Sequence, residues 1–276
     1  MKPTRPAWAA VIVFLASVPP AGAVGTANVD ARLVAGVAAI RAGESFPLAV
    51  VLKMAPGWHT YWKNSGGSGR PTTVVITLPD FFQASELRWP IPERFQVAGL
   101  STLGYEGEVA LLTTITPSAE LPRGKFSVMA QVAWVECKDI CIPGKATLSL
   151  ALPSTTTQIR PDPAPARFFA SANRFLPRAD PELRARYEVI GAGVELTVGR
   201  PSGLGERLDF FPDVQGWIDL SAPPKIRTAA RGAVLRFKRA AGPLPPGDLN
   251  GVLVMGQGVG RKGLEISAKL AEVKAH

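Results

Sequence analysis

The chain has 276 residues, of which 46% are hydrophobic, and carries a formal net charge of +9 at pH 7. Glycine and proline number 27 and 26, a content that favours many short strands joined by turns over long helices. No basic run with interleaved aromatic residues occurs, so the sequence lacks the usual signature of a nucleic-acid-binding protein. With two histidines and two cysteines, the chain also excludes HExxH metalloproteases and paired-histidine sites.

The first 23 residues have the pattern of an export signal. Lys2 and Arg5 provide a positive start, Trp8 to Val18 form an apolar run, and Ala21-Gly-Ala23 resembles a cleavage site. The apolar run is too short to span a bilayer. We therefore expect cleavage near Ala23 and a mature chain outside the cytoplasm.

The remainder predicts an all-β protein with two β-sandwich domains in tandem, over residues 24–153 and 174–276. Residues 154–173 are rich in threonine and proline and predict a linker, with a short helix over Arg167 to Asn173. Alternating apolar residues predict strands in the first domain. These strands are Phe46 to Met54, Thr73 to Leu78, Val109 to Thr116, Phe126 to Glu136 and Thr147 to Leu152.

The second domain has no cysteine. Residues 154–276, the linker included, hold 18 Lys and Arg against 12 Asp and Glu, a net +6, whereas residues 24–153 hold 11 against 10. This basic half predicts either a solubilising surface or one that faces anionic lipid or an acidic partner. Gly258 to Gly263 matches the dinucleotide-binding glycine pattern, but thirteen residues follow it, so it predicts a hairpin turn.

Cys137 and Cys141 are the chain's two cysteines and lie four residues apart. In an oxidising compartment, each has the other as its intramolecular partner, which predicts a disulfide. Closing a loop of about five residues stabilises a fold by only about 2 kcal/mol, so the spacing favours redox chemistry over a structural role. The flanking strands predict that the pair lies at the end of a β-hairpin. Pro143-Gly144 is expected to interrupt the chain before the next strand begins at Thr147.

Two alternatives remain open from the residues alone. The first is a structural clip in an inert binding module. The second is a copper-binding carrier, in which Cys137 and Cys141 bind Cu(I) as soft thiolate ligands and His59 supplies a third ligand. His59 and Tyr61 lie in an aromatic-rich strand, where they either pack structurally or flank the cysteines as proton donor, acceptor or shield.

Several motifs together resemble the periplasmic amino-terminal region of DsbD-type thiol:disulfide interchange proteins, and more closely the ScsB-like branch. The motifs are Gly57-Trp-His-Thr-Tyr-Trp-Lys-Asn64, Pro92-Glu-Arg-Phe95, Gly104-Tyr-Glu-Gly107 and Trp134-Val-Glu-Cys-Lys-Asp-Ile-Cys-Ile-Pro143. Phe210-Phe-Pro212, Gly216-Trp-Ile218 and Gly251-Val-Leu253 extend the similarity into the second domain. Two features depart from the family: three residues separate the cysteines rather than five, and His59 stands where a phenol is expected.

The resemblance implies immunoglobulin-like sandwiches and a periplasmic thiol-disulfide oxidoreductase that needs no cofactor. The cysteine pair would take electrons from a membrane electron-transfer protein or a thioredoxin-like donor and pass them to disulfide-containing periplasmic clients. Such reduction serves client repair, cytochrome c maturation or tolerance of copper and oxidative stress. The resemblance also implies that Cys141 forms the intermolecular bond, that Cys137 resolves it, and that His59, Tyr61, Phe95 and Tyr105 flank or shield the pair.

Overall fold

The computed structural model describes residues 24–97, 99–158, 162–200, 203–204 and 207–271, without the side chains of residues 24, 25 and 259. The predicted signal peptide, residues 1–23, lies outside the described residues. Among the described residues, no helix has the length and apolar character needed to cross a membrane.

The described chain is nearly all β, which confirms the predicted fold class. The strands of residues 24–153 are β1 (Val24–Gly25), β2 (Val29–Ala35), β3 (Phe46–Met54), β4 (His59–Gly66), β5 (Thr73–Thr77), β6 (Phe82–Ala84), β7 (Glu93–Val97), β8 (Leu100–Glu106), β9 (Glu108–Pro117), β10 (Lys125–Cys137) and β11 (Cys141–Pro153). They form two sheets, one in the order β1-β2-β3-β9-β6 and one in the order β11-β10-β4-β8-β7, with β5 also paired to β10.

The two sheets pack face to face around an apolar core. Leu52 and Leu111 contribute from the first sheet, and Trp62, Leu103 and Val132 from the second; all are at most 2% exposed. Along β10, residues of even number from Val128 to Glu136 are buried, whereas most odd-numbered residues are exposed. This alternation fixes which face of the second sheet meets the core.

Within the described residues, one α-helix follows the first half of the chain. Helix α1 (Pro163–Asn173) is capped at its amino terminus by Asp162, whose side chain accepts a hydrogen bond from the Ala164 amide at 2.9 Å. Phe169 packs against Val51 and Leu112 on the outer face of the first sheet. The predicted helix starts at Arg167, four residues too late. Prolines before Arg167 indicate a linker in the sequence, but proline is tolerated in the first turn of a helix.

The carboxyl-terminal half forms one seven-stranded sheet with the strand order β14-β17-β18-β12-β13-β16-β15. Its strands are β12 (Arg184–Ile190), β13 (Gly193–Gly199), β14 (Leu208–Pro212), β15 (Lys225–Ala229), β16 (Gly232–Lys238), β17 (Leu249–Met255) and β18 (Lys262–Leu270). The segment from Gly258 to Gly260 is a short 3₁₀ turn between the paired strands β17 and β18, which confirms the predicted hairpin. Buried residues of both halves belong to one continuous apolar cluster.

The prediction that Pro143-Gly144 interrupts the chain before a strand at Thr147 is wrong. Strand β11 begins at Cys141, and Gly144 pairs with Trp134. Proline is tolerated there because β11 is an edge strand. Glycine is required because an added Cβ at residue 144 would lie 2.5 Å from the Trp134 indole.

We predict that Gly144→Ala lowers the free energy of unfolding by about 1–3 kcal/mol, since a methyl group would displace the buried Trp134 ring. Gly124→Ala is the matched control, because a Cβ there has no neighbour closer than 3.9 Å. Urea unfolding of the oxidised proteins measures both. Equal stabilities for the two variants would contradict the packing described.

Candidate functional site

The two cysteines occupy opposite ends of a three-residue turn between β10 and β11. Cys137 is the last residue of β10 and pairs with Cys141, the first residue of β11. The two residues form a disulfide, with their Cα atoms 4.2 Å apart. The bond therefore closes the tip of a long hairpin, where it links residues that the backbone has already brought together.

Cys137 is also paired on its other side. Its register partner on β4 is His59, so the disulfide lies at a point where three strands meet. Alternation puts Cys137, His59 and Tyr61 on the same face of the sheet, opposite the core. That face is largely exposed along β10, yet Cys137 is 0% exposed and Tyr61 is 0% exposed. Their burial on this face requires a cover.

The two cysteine residues differ in exposure. Cys137 is fully buried, whereas Cys141 is exposed. The Tyr61 hydroxyl lies 3.0 Å from the Cys137 sulfur and 3.8 Å from the Cys141 sulfur. Burial raises the pKa of Tyr61 above its ordinary value of 10.0, so that the phenol keeps its proton at neutral pH. The buried sulfur thus has a hydrogen-bond donor beside it.

A glycine-containing loop covers the Tyr61 ring. An added Cβ at Gly69 would lie 2.3 Å from Cζ of Tyr61, and Gly69 has a positive φ of 79°, so this position favours glycine twice over. The Ser65 hydroxyl donates to the Gly69 carbonyl at 3.3 Å and helps to close the loop. The sequence shows these glycines, but no local pattern predicts that they pack on Tyr61.

Phe95 forms the second part of the cover. Its ring stacks on the His59 imidazole at 5.0 Å with an interplanar angle of 8°, and the imidazole meets Tyr61 edge to face at 5.5 Å. Phe95 lies on β7, which is joined to β4 through β8. The structure therefore brings together Cys137, Cys141, His59, Tyr61 and Phe95.

Tyr105 lies elsewhere. It pairs with Thr60, one residue away from Tyr61, so its side chain points to the core face of the sheet. Its hydroxyl donates to the Pro90 carbonyl at 2.7 Å, and burial raises its pKa well above 10.0. The structure does not bring Tyr105 to the disulfide.

A buried carboxylate, which the sequence analysis did not assign to the site, lies next to Cys137 in the chain. Glu136 is 0% exposed and points to the core face. It accepts hydrogen bonds from Asn28 at 2.9 Å, from the Trp134 indole at 3.0 Å and from the Thr26 hydroxyl. These contacts anchor the end of β10 to the amino-terminal segment and so hold Cys137 in place.

The described residues contain no group of three or more His, Cys, Asp or Glu side chains arranged to hold a metal ion. His59 does lie beside Cys137, and its buried Nε2 atom has no hydrogen-bond partner in the described chain. Burial lowers the pKa of His59 from its ordinary value of 6.5, so the imidazole is neutral at pH 7.

We predict that the oxidised protein loses stability as the pH falls below about 6.5, and that His59→Gln loses less. The unfolded chain binds a proton at His59 near its ordinary pKa, whereas the folded chain does so only at lower pH. One such group changes stability by at most about 1.4 kcal/mol per pH unit. Urea unfolding between pH 7.5 and 5.5 measures the difference, and identical pH profiles for the two proteins would contradict a buried neutral imidazole.

Comparison with known proteins supports the interpretation of residues 30–153, which match the model of the family "Thiol:disulfide interchange protein DsbD, N-terminal". A search of curated proteins found no match. Among solved structures, the chain resembles the N-terminal periplasmic domain of ScsB from Proteus mirabilis, with a TM-score of 0.62, 18% identity, and coverage of 88% of this chain and 94% of that one. At this identity the likeness shows a shared fold.

The major pilin subunit BcpA of Bacillus cereus also matches, over 89% of this chain and 69% of that one, at 9% identity. Its TM-score of 0.31 is too low to support any argument. The family match spans the strands that contain the disulfide, His59, Tyr61 and Phe95. Residues 30–153 of this chain therefore match the N-terminal domain of DsbD-type proteins, and the chain shares its fold with the ScsB domain.

Proposed function

We propose that this protein is a periplasmic thiol-disulfide oxidoreductase whose Cys137–Cys141 pair relays electrons from a donor dithiol to disulfide-containing client proteins. The observation that supports it most is the asymmetry of the disulfide: Cys137 is fully buried beside a phenol, whereas Cys141 is an exposed residue. An incoming thiolate would reach Cys141 more readily than the buried Cys137, and Cys137 is placed to leave.

The reaction would take place in two exchange steps. A donor thiolate attacks the Cys141 sulfur, the Cys137–Cys141 bond breaks, and its electron pair stays on Cys137 as a thiolate. The donor's second thiolate then attacks the donor sulfur of the mixed disulfide and releases Cys141, so that two electrons have moved to this protein. The same steps in reverse, with Cys141 attacking a client disulfide and Cys137 resolving it, reduce the client.

Tyr61 would act on the Cys137 thiolate. Its phenol remains protonated because burial raises its pKa, and it lies 3.0 Å from the sulfur on which negative charge develops. A hydrogen bond to a charged group stabilises it by about 1.5–3 kcal/mol. The fully buried Cys137 has little other stabilisation from solvent, so this donor contributes directly to the leaving group.

The resemblance to the family supports a proposal for the donor and the clients. We propose that the donor is a membrane electron-transfer protein or a thioredoxin-like protein, and that the clients are periplasmic proteins with oxidised cysteines, including those of cytochrome c maturation or of copper and oxidative stress tolerance. We further propose that residues 24–153 act as the redox domain, that residues 154–173 connect it to a second domain over residues 174–276, and that the basic surface of that domain faces acidic partners or anionic lipid.

We predict that Cys137→Ser accumulates a covalent complex with a thioredoxin-like partner, because its remaining Cys141 thiol is exposed and nothing resolves the mixed disulfide. Cys141→Ser is the matched variant, and it should trap at most about a tenth as much, since the remaining thiol is buried. Non-reducing electrophoresis of proteins from periplasmic extracts measures both. Trapping by neither variant would refute exchange, and equal trapping would refute the assigned roles.

We predict that Tyr61→Phe slows reduction of the oxidised protein by dithiothreitol about tenfold, because the Cys137 thiolate loses its hydrogen-bond donor. The ring and its packing are retained, so thermal stability should change little. Tyr187→Phe, which removes a hydroxyl bonded to the Gly247 carbonyl in the other half of the chain, is the control. An unchanged rate for Tyr61→Phe would show that the phenol does not assist the leaving sulfur.

A further inference from the structure

Arg94 connects the cover of the disulfide to the carboxyl-terminal half of the chain. It precedes Phe95 on β7, and its side chain points to the opposite face of that strand. Its guanidinium donates to both carboxylate oxygens of Asp209, at 2.9 and 3.2 Å, and to the Leu220 carbonyl. It also lies 5.3 Å from the centroid of the Phe211 ring.

The same side chain also holds the neighbouring strand. Arg94 donates to the hydroxyl of Ser101 on β8 at 3.1 Å, and Ser101 is 3% exposed. The Arg94 and Asp209 side chains are 20% and 25% exposed, so the pair is partly shielded from water. One guanidinium nitrogen contacts both carboxylate oxygens and the other donates to Ser101 and Leu220, so this partly shielded, charge-assisted contact has a more fixed geometry than an exposed ion pair. One residue thus fixes the β7–β8 hairpin to the other half of the molecule.

A second set of contacts holds the end of β4, from which the loop over Tyr61 continues. The Asn64 side chain donates to the Pro212 carbonyl at 2.7 Å, and Lys63 pairs with Asp213 at 2.7 Å. Gln215 donates to the Ser65 hydroxyl at 3.0 Å and to the Gly66 carbonyl at 2.9 Å. Pro212 ends β14, the strand that also contains Asp209, and the other two partners follow it.

The hairpin of β10 and β11, which contains the cysteines, differs from the cover in its contacts. Among the described residues, no side-chain hydrogen bond or ion pair joins β10, β11 or the turn between them to residues 174–271. The carboxyl-terminal half therefore contacts the cover of the disulfide and makes no such contact with the hairpin that contains the disulfide.

We propose that Arg94 is a positioning residue that, through Asp209, keeps Phe95 stacked on His59 and thereby limits the rate at which thiols reach the disulfide. The carboxyl-terminal half is then a regulator of access: a partner that weakens the Arg94–Asp209 contact frees β7 and opens the site. This inference rests on the proposed function for its purpose, but the access that it describes is measurable with any small dithiol.

The test is a double-mutant cycle on the full mature chain in its oxidised form. Asp209→Asn removes the charge while keeping the shape, and it should raise the second-order rate of reduction by dithiothreitol about tenfold. Phe95→Ala should raise the rate by itself. In the Phe95→Ala background, Asp209→Asn should add less than about twofold, because the ion pair acts through a ring that is no longer present.

A second test variant and a control variant separate a positioning role from a loss of folding. Arg94→Lys keeps a charge but cannot contact Asp209, Ser101 and Leu220 at the same time, so it should resemble Asp209→Asn in rate. Glu195→Gln breaks an exposed ion pair with Arg236 in the same half and should leave the rate unchanged. Rates are compared at a temperature at which the near-ultraviolet circular dichroism of every variant matches that of the wild type.

The outcomes are distinct from those of the trapping experiment. An unchanged rate in both Asp209→Asn and Arg94→Lys, or an equal acceleration by Asp209→Asn with and without Phe95, would overturn the positioning role. Either result is compatible with efficient trapping of partners by Cys137→Ser. Conversely, failure of all trapping alongside a positive cycle would refute the proposed function and leave the control of access intact.

Discussion

The site depends on the pairing of one residue, Cys137, with two strands at once. Its partner on one side is Cys141 and on the other is His59, so the end of β10 is fixed within the sheet where the disulfide forms. The carboxylate of Glu136, buried on the opposite face and bonded to three donors, fixes the same point from behind. The position of the buried sulfur is thus set by backbone pairing and by a polar anchor, and it does not rely on the disulfide itself.

From this constraint follows the difference between the two sulfurs. Cys137 lies on a face that is otherwise exposed along β10, and its burial comes from the aromatic cover of His59, Tyr61 and Phe95. Cys141 begins the edge strand β11 and remains exposed. A short loop gives the bond little effect on stability, so chemistry rather than cross-linking accounts best for it. In the proposed exchange, the phenol beside Cys137 assists the sulfur that leaves.

Much of this site could be predicted from the sequence because its signals are local. The strands that flank the cysteines predicted the hairpin end, and the aromatic-rich strand made His59 and Tyr61 candidates to flank the pair. Tyr105 was assigned beside the disulfide because the family resemblance groups it with Gly104, but one residue along a strand reverses the face. The predicted start of the last strand of residues 24–153 at Thr147 was wrong because of Pro143. Proline usually ends a strand, but an edge strand such as β11 tolerates it. The contacts of Arg94 with Asp209 join residues 115 positions apart, and no local pattern indicates them.

In the proposed exchange, the exposed Cys141 receives the incoming thiol and the buried Cys137 leaves. The most direct measurement is to react the oxidised protein briefly with reduced glutathione, quench with acid, and locate the glutathione adduct by peptide mass spectrometry. We expect the adduct on Cys141, with Cys137 recovered as a free thiol. An adduct found mainly on Cys137, or a disulfide that does not react under native conditions, would contradict the account.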